Sequence, residues 1–194
     1  MAGELQAAVV WLVARILGAK LIETPQWLLR PAANECGERW ENVCAIYREL
    51  TGLELPEVMP PRETRRVDAV LDIGDGEPRI LEVDETQHFN RYRARTLRLY
   101  PSDACVAFPI ERWIEQSEKK TRLEGGGFGK PRQPLFPAEY GRHAQRAYRD
   151  MLADLLPPEH GFQPTLRIGD FEVLAWIYTE ETEVRMRELL AGRL

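Results

Sequence analysis

The sequence predicts an α/β domain, a mixed central sheet flanked by helices, with a C-terminal helix-hairpin-helix elaboration. Three observations predict it. Residues 67–73 and 79–83 are short apolar runs on either side of Gly74-Asp75-Gly76-Glu77-Pro78, the sequence form of a β-hairpin. Segments at 4–20, 34–52, 89–99 and 138–156 carry apolar residues at helical spacing. The 194 residues are 44% hydrophobic and 29% charged, which suits one globular domain with a sizeable core.

Each element has its own warrant. In residues 4–20, Leu5, Val9, Leu12, Val13, Ile16 and Leu17 recur at helical spacing. That face suits core packing, the commoner use, or a homodimer interface. Residues 21–31 read as a connector or second small helix closed by Pro31. Asn34 is a good N-cap for a helix whose apolar face is Trp40, Val43, Cys44, Tyr47 and Leu50, and Thr51-Gly52 ends it. Residues 53–59 read as a short strand before Pro60-Pro61, and the hairpin follows. A helix at 89–99 carries Arg91, Arg93, Arg95 and Arg98 and stops at Pro101. The continuous apolar run 104–108 predicts a buried strand, and a helix follows Pro109. Residues 122–137, rich in Gly and Pro, form a long loop. A long helix at 138–156 ends at Pro157-Pro158. Residues 165–168 and 171–178 read as a hairpin around Gly169-Asp170, before a terminal helix at 180–190. Residues 1–33 are then an N-terminal helical extension, 34–120 the core, and 121–194 a loop, helix, hairpin and helix packed on it.

Composition removes several function classes. A net charge of −5 argues against a generally basic nucleic-acid binder, although it does not exclude basic patches. The three cysteines lack metal-ligand spacing and their odd number does not suit a disulfide framework, so buried reduced thiols are expected. The start of the chain has no positive n-region, and the apolar stretch after it is short and interrupted by Arg15. A cytoplasmic protein without a membrane partner is the expectation. Gly129-Lys130 invites a phosphate-loop reading that fails, because Glu124 stands at the required glycine and Pro131 at the Ser/Thr position.

The chemistry concentrates at the hairpin. Side chains alternate along a strand, and in an antiparallel pair the start of the first strand lies beside the end of the second. Asp68, Glu82 and Asp84 therefore converge at one end of the sheet, with Glu82 and Asp84 on one face. Carboxylates that close repel one another unless a cation or protons offset the charge. Asp68 and Glu82 are hard oxygen ligands suited to Mg²⁺, which activates water and stabilises phosphoryl charge. His88 follows closely as a proton donor or acceptor, and Gln87 as a residue to orient water or phosphate. The arginines of the next helix suit phosphates. The competing reading is an acidic sheet end paired with neighbouring arginines.

The order of helix with early Glu, strand, Asp strand, E-x-D strand, Arg helix and strand resembles the PD-(D/E)xK nuclease superfamily, the restriction-endonuclease-like fold. Glu82-Val83-Asp84-Glu85-Thr86-Gln87-His88 is similar to the E-x-D-G-x-x-H signature of the branch related to very-short-patch-repair endonucleases, and Arg93 and Leu97 resemble its R-x-x-x-L helix. The resemblance covers roughly residues 34–120. It implies a nuclease-like core and metal-dependent hydrolysis of phosphodiester bonds, most naturally in DNA and in prokaryotic defence or repair. By resemblance Asp68 and Glu82 bind Mg²⁺ (or Mn²⁺), Asp84 and Glu38 (or Glu35) supplement the site, and Gln87 and His88 meet water or the scissile phosphate. Glu85 replaces the usual glycine and no E-x-K lysine exists, so water activation comes from elsewhere or is absent. An inactive nuclease-fold DNA-binding module or an interaction subunit is the alternative.

Basic residues gather at Arg62, Arg65 and Arg66, along residues 91–98, and between residues 119 and 149. Folded against the site, Arg91, Arg93, Arg95, Lys130, Arg132, Arg142 and Arg146 form a phosphate-binding rim, with Phe128 and Tyr140 as stacking surfaces for bases. A solvated charged helix face accounts for the same residues equally well.

Overall fold

The computed structural model describes residues 3–61, 65–74, 77–127 and 129–194. Arg62, Phe128 and the Asp75-Gly76 turn tip lie outside the described residues. Helix α1 (Glu4–Leu17) turns through Gly18 into β1 (Lys20–Ile22). The one-turn helices α2 (Gln26–Leu29) and α3 (Ala33–Cys36) precede α4 (Trp40–Thr51). Strands β2 (Ala69–Asp72) and β3 (Arg79–Asp84) are followed by α5 (Arg91–Arg98) and α6 (Ile110–Lys119). The chain closes with α7 (Gly141–Leu155), β4 (Gln163–Gly169), α8 (Asp170–Val173) and α9 (Thr182–Ala191). No helix among the described residues is long and apolar enough to cross a membrane.

The four strands form one mixed sheet in the order β1-β2-β3-β4. The first three are antiparallel in turn, and β4 runs parallel to β3 with Glu82 opposite Arg167. Alternation along β3 sorts its side chains to two faces. Leu81 and Val83 join Ala69, Leu71, Leu166 and Ile168 in a core completed by α1, α8 and α9. Glu82 and Asp84 point the other way, to the face covered by α7. There Thr165 donates to the Ala153 carbonyl, and Arg167 reaches Asp150 and Asp154. Outside it, α7 packs on α4 through Tyr47, Tyr148, Met151 and Leu152. The first residue of α7, Gly141, has room for no side chain, because a Cβ there would collide with the Phe136 carbonyl of the preceding loop.

The hairpin stands where its turn residues predicted it, and α5 is capped by Asn90, whose side chain accepts from the Tyr92 and Arg93 amides at 3.0 and 3.3 Å. Other expectations are corrected. The stretch expected as a connector contains β1, a three-residue edge strand on β2. The helix expected over 34–52 breaks at Gly37 (φ 51°), and the Glu35 carboxylate rather than Asn34 accepts from the Ala32 amide that precedes α3. Residues 53–59 form no strand: Pro56 interrupts them, and Leu53 and Val58 are exposed. Residues 104–108 touch the sheet through a single bridge, Ala107 to Leu166, and Cys105 is exposed. The C-terminal hairpin does not form. Its first strand is β4, paired in parallel with β3 across the chain, and the chain after Gly169 coils into α8.

Candidate active site

Asp68, at the entry to β2, is pinned at the sheet end by two hydrogen bonds. Its Oδ1 accepts from Gln6 Nε2 at 3.0 Å and its Oδ2 from the Val83 amide at 2.7 Å. Glu82 lies one residue before Val83, and its Oε1 accepts from Arg65 at 2.7 Å. Both carboxylates line a cleft of about 280 Å³ with His88, with Arg65 and Arg66, and with Arg142, Gln145, Arg146, Arg149 and Asp150 of α7; Arg65 also donates to the Arg149 carbonyl. Burial pushes the Asp68 carboxyl up, although the Val83 N–H opposes it. Burial pushes Glu82 further, up to about 8, with the Asp68 charge adding to it and Arg65 and Arg167 opposing. Arg65 is itself lowered by burial against the pull of Glu82. Two carboxylates that disfavour each other's charge in a water-accessible cleft are a donor set that a hard divalent cation relieves.

Beneath the cleft lies a network of buried ion pairs. Arg167 is fully buried and spans three aspartates: its Nη1 meets Asp84 Oδ1 at 2.6 Å, its Nε meets Asp154 Oδ1 at 2.6 Å, and its Nη2 lies 3.7 Å from Asp150 Oδ1. Trp113 Nε1 donates to the other oxygen of Asp84 at 2.6 Å. Arg93 and the Tyr100 hydroxyl both donate to Asp154 Oδ2, at 2.7 and 2.6 Å. His88 Nδ1 lies 3.2 Å from both Asp84 Oδ1 and Asp150 Oδ2. The ligand atoms of Asp84, His88 and Asp150 fall within 4.8 Å of one another, a spacing that suits a metal. The Arg167 guanidinium already compensates this cluster, as Arg65 compensates Glu82 in the cleft.

Burial disfavours a charged His88, but the Asp150 charge, its hydrogen bond and Asp84 outweigh burial and raise the histidine pKa above 6.5. Burial likewise opposes ionisation of Asp150, and the charges of His88 and Arg167 overcome it, holding Asp150 well below the carboxylate range. The pH dependence follows from linkage. The His88 contribution to stability is fully present below the unfolded value of 6.5 and is lost as pH rises through the raised folded value. The Asp150 contribution is present above 3.8 and is lost as pH falls through the depressed value. Melting curves of His88→Asn and the parent chain are therefore expected to be furthest apart below pH 6.5 and to converge as pH rises through the raised folded value. An equal gap at all these pH values would mean that His88 titrates alike in the folded and unfolded chain.

The structure brings together Asp68, Glu82, His88, Arg142 and Arg146, as the sequence suggested. It separates the others. Asp84 lies beneath the cleft, fully buried against Arg167 and Trp113. Gln87 turns to Glu85, with Nε2 donating at 3.0 Å. Glu38 is exposed in the single 3₁₀ turn between α3 and α4, and Glu35 caps α3, so neither reaches the carboxylates. Arg93 is buried on Asp154 and offers no nucleic-acid contact. Arg91 and Arg95 line a separate groove between α5 and α6. Lys130 is exposed in the loop, and Arg132 lies at a bridge to Phe136. Sequence reasoning missed Gln145, Asp150, Asp154 and Arg167. The available signal was Asp150 and Asp154 themselves, two acids interleaved with Ala147, Met151 and Leu155 on the apolar face of α7.

Residues 45–130, which include Asp68, Glu82 and His88 but stop before α7, match a family of unknown function (DUF7255). No curated protein gives a significant match, and neither does any solved structure.

Proposed function

We propose that the protein is a metal-dependent nuclease that hydrolyses phosphodiester bonds in DNA, built on a restriction-endonuclease-like core. The supporting observation is one cleft lined by the carboxylates of Asp68 and Glu82, a carboxylate-held histidine and several arginines. Asp68 and Glu82 would hold Mg²⁺ (or Mn²⁺), which when bound lowers the pKa of water and stabilises phosphoryl charge. The chain supplies the rest. Asp150 and Asp84 accept from His88 Nδ1 and favour the protonated ring, leaving Nε2–H to donate to the leaving oxygen. Arg142 and Arg146 bind phosphate oxygens and hold the strand over the carboxylates.

One observation favours a second reading, a DNA-binding module without catalysis: Arg65 already engages Glu82 at 2.7 Å and supplies a positive charge where an ion would sit. Calorimetric titration with Mg²⁺ and Mn²⁺, paired with cleavage of labelled DNA in metal and in chelator, separates the two. The nuclease reading expects a binding isotherm and cleavage that chelator stops. DNA binding with neither metal binding nor cleavage supports the module and ends the nuclease reading.

A further inference from the structure

Arg65 stands just before Asp68 in the chain, and its backbone N–H donates to the Leu29 carbonyl at 2.8 Å, which fixes the main chain there. From that anchor the side chain, 6% exposed, reaches two other elements. Its Nη2 donates to Glu82 Oε1 on β3 at 2.7 Å, and its Nη1 donates to the Arg149 carbonyl on α7. We propose that Arg65 is a latch on the metal site: its guanidinium stands in for the divalent ion on Glu82, and loading the site requires it to let that oxygen go. The inference rests on the nuclease reading and adds a control on the same carboxylates.

A comparison with Arg167 separates a latch from a structural ion pair. Both arginines are buried. Arg167 lies beneath the cleft and engages all three of its nitrogens: Nε on Asp154, Nη1 on Asp84 and Nη2 on the Asp150 carbonyl. Arg65 lines the cleft itself, and its Nε is buried with no hydrogen-bond partner, an unfavourable state for a polar group. Burial and the charges of Arg167 and Arg149 oppose the Arg65 cation, while Glu82 and Asp150 hold it in place. A guanidinium bonded this incompletely loses less on moving than Arg167 would. A divalent ion on Asp68 and Glu82 offers Glu82 twice the charge that Arg65 does. Two cations on one buried carboxylate repel each other strongly, so ion and guanidinium compete for Glu82. The site then loads only in the fraction of molecules in which Arg65 has released Glu82, and the apparent affinity falls by that fraction.

The test is calorimetric titration of the parent chain, Arg65→Gln and Arg65→Lys with Mg²⁺. Removing the charge in Arg65→Gln is expected to tighten Mg²⁺ binding about tenfold or more, whereas Arg65→Lys, which keeps the charge, should stay within about threefold of the parent chain. Loss of one partner from a buried pair also weakens the fold, so the melting temperature is the second readout. Mg²⁺ should raise it more in Arg65→Gln than in the parent chain, because the ion takes the place that Arg65 has left. If the parent chain binds Mg²⁺ and Arg65→Gln binds it equally or more weakly, Arg65 only supports the fold; the latch is overturned and the nuclease reading stands. Tightening of the same size in Arg65→Lys overturns the latch as well, because the charge is then not what competes. If neither the parent chain nor Arg65→Gln binds Mg²⁺, the metal-dependent nuclease reading fails and the latch with it.

Discussion

Arg167→Met unfolds the protein or destabilises it by about 3–5 kcal/mol, the usual effect of removing one partner from a buried ion pair. A domain has only about 5–15 kcal/mol of stability, so this change alone brings the chain close to unfolding. The reason lies in what the guanidinium holds. Asp84 comes from β3, and Asp150 and Asp154 from α7; Arg167 on β4 joins all three. Burial disfavours its charge, but the pull of Asp154, Asp84 and Asp150 outweighs burial and raises its pKa well above the ordinary arginine value. Methionine keeps much of the volume, so the loss reports uncompensated carboxylates rather than a cavity. Asp154 retains Arg93 and Tyr100, and Asp84 retains Trp113, which bounds the effect. Adding Asp84→Asn to Arg167→Met should recover part of the loss, because one buried charge disappears with its partner. Urea denaturation of the single and double variants measures both terms. A single-variant loss below about 1 kcal/mol would place Arg167 outside the core electrostatics.

Arg167 also shows which parts of the fold were legible in the sequence. The β2-β3 hairpin was, because alternation and turn residues are local and both runs lie within about twenty residues of each other. The hairpin ends therefore led directly to Asp68 and Glu82 in one cleft. The pairing of β3 with β4 was not, because it joins segments some eighty residues apart, and Gly169-Asp170 offered a competing local turn. With β4 read as the first strand of a C-terminal hairpin, its arginine received no role. Only the parallel register, which sets Arg167 opposite Glu82, gives it a role. Helix phase failed at Glu38 for a different reason. Gly37 breaks the helix, and Glu38 ends in an exposed 3₁₀ turn. Arg93 was read as a phosphate contact because it lies in an arginine-rich helix that follows directly on the carboxylates. Its burial is set by Asp154, an acid on another helix.

Asp68→Asn is expected to lower metal-dependent cleavage by about a thousandfold or more, a loss of about 4 kcal/mol in transition-state stabilisation. The substitution is nearly isosteric. Asparagine keeps an oxygen to accept from the Val83 amide, and the Gln6 amide can turn its own oxygen towards the new NH₂. The fold should therefore survive with little change in melting temperature, because a buried carboxyl whose pKa is already raised by burial loses a charge that the folded state disfavours. What disappears is one of the carboxylate charges that face the cleft. Without the Asp68 charge, Glu82 should become easier to ionise and pair more fully with Arg65, which leaves less anionic charge for a divalent ion. Calorimetry should show Mg²⁺ affinity lost in the variant, whereas anisotropy should show nucleic-acid affinity retained or increased, since the arginines remain and a repelling carboxylate is gone. That split separates loss of metal from loss of substrate binding. Cleavage within about twofold of the parent chain, still dependent on metal, would move the ion to Asp84, His88 and Asp150, whose ligand atoms lie within 4.8 Å of one another. His88→Asn should then abolish metal binding itself, whereas with the ion on Asp68 and Glu82 it should slow cleavage and leave metal affinity in place.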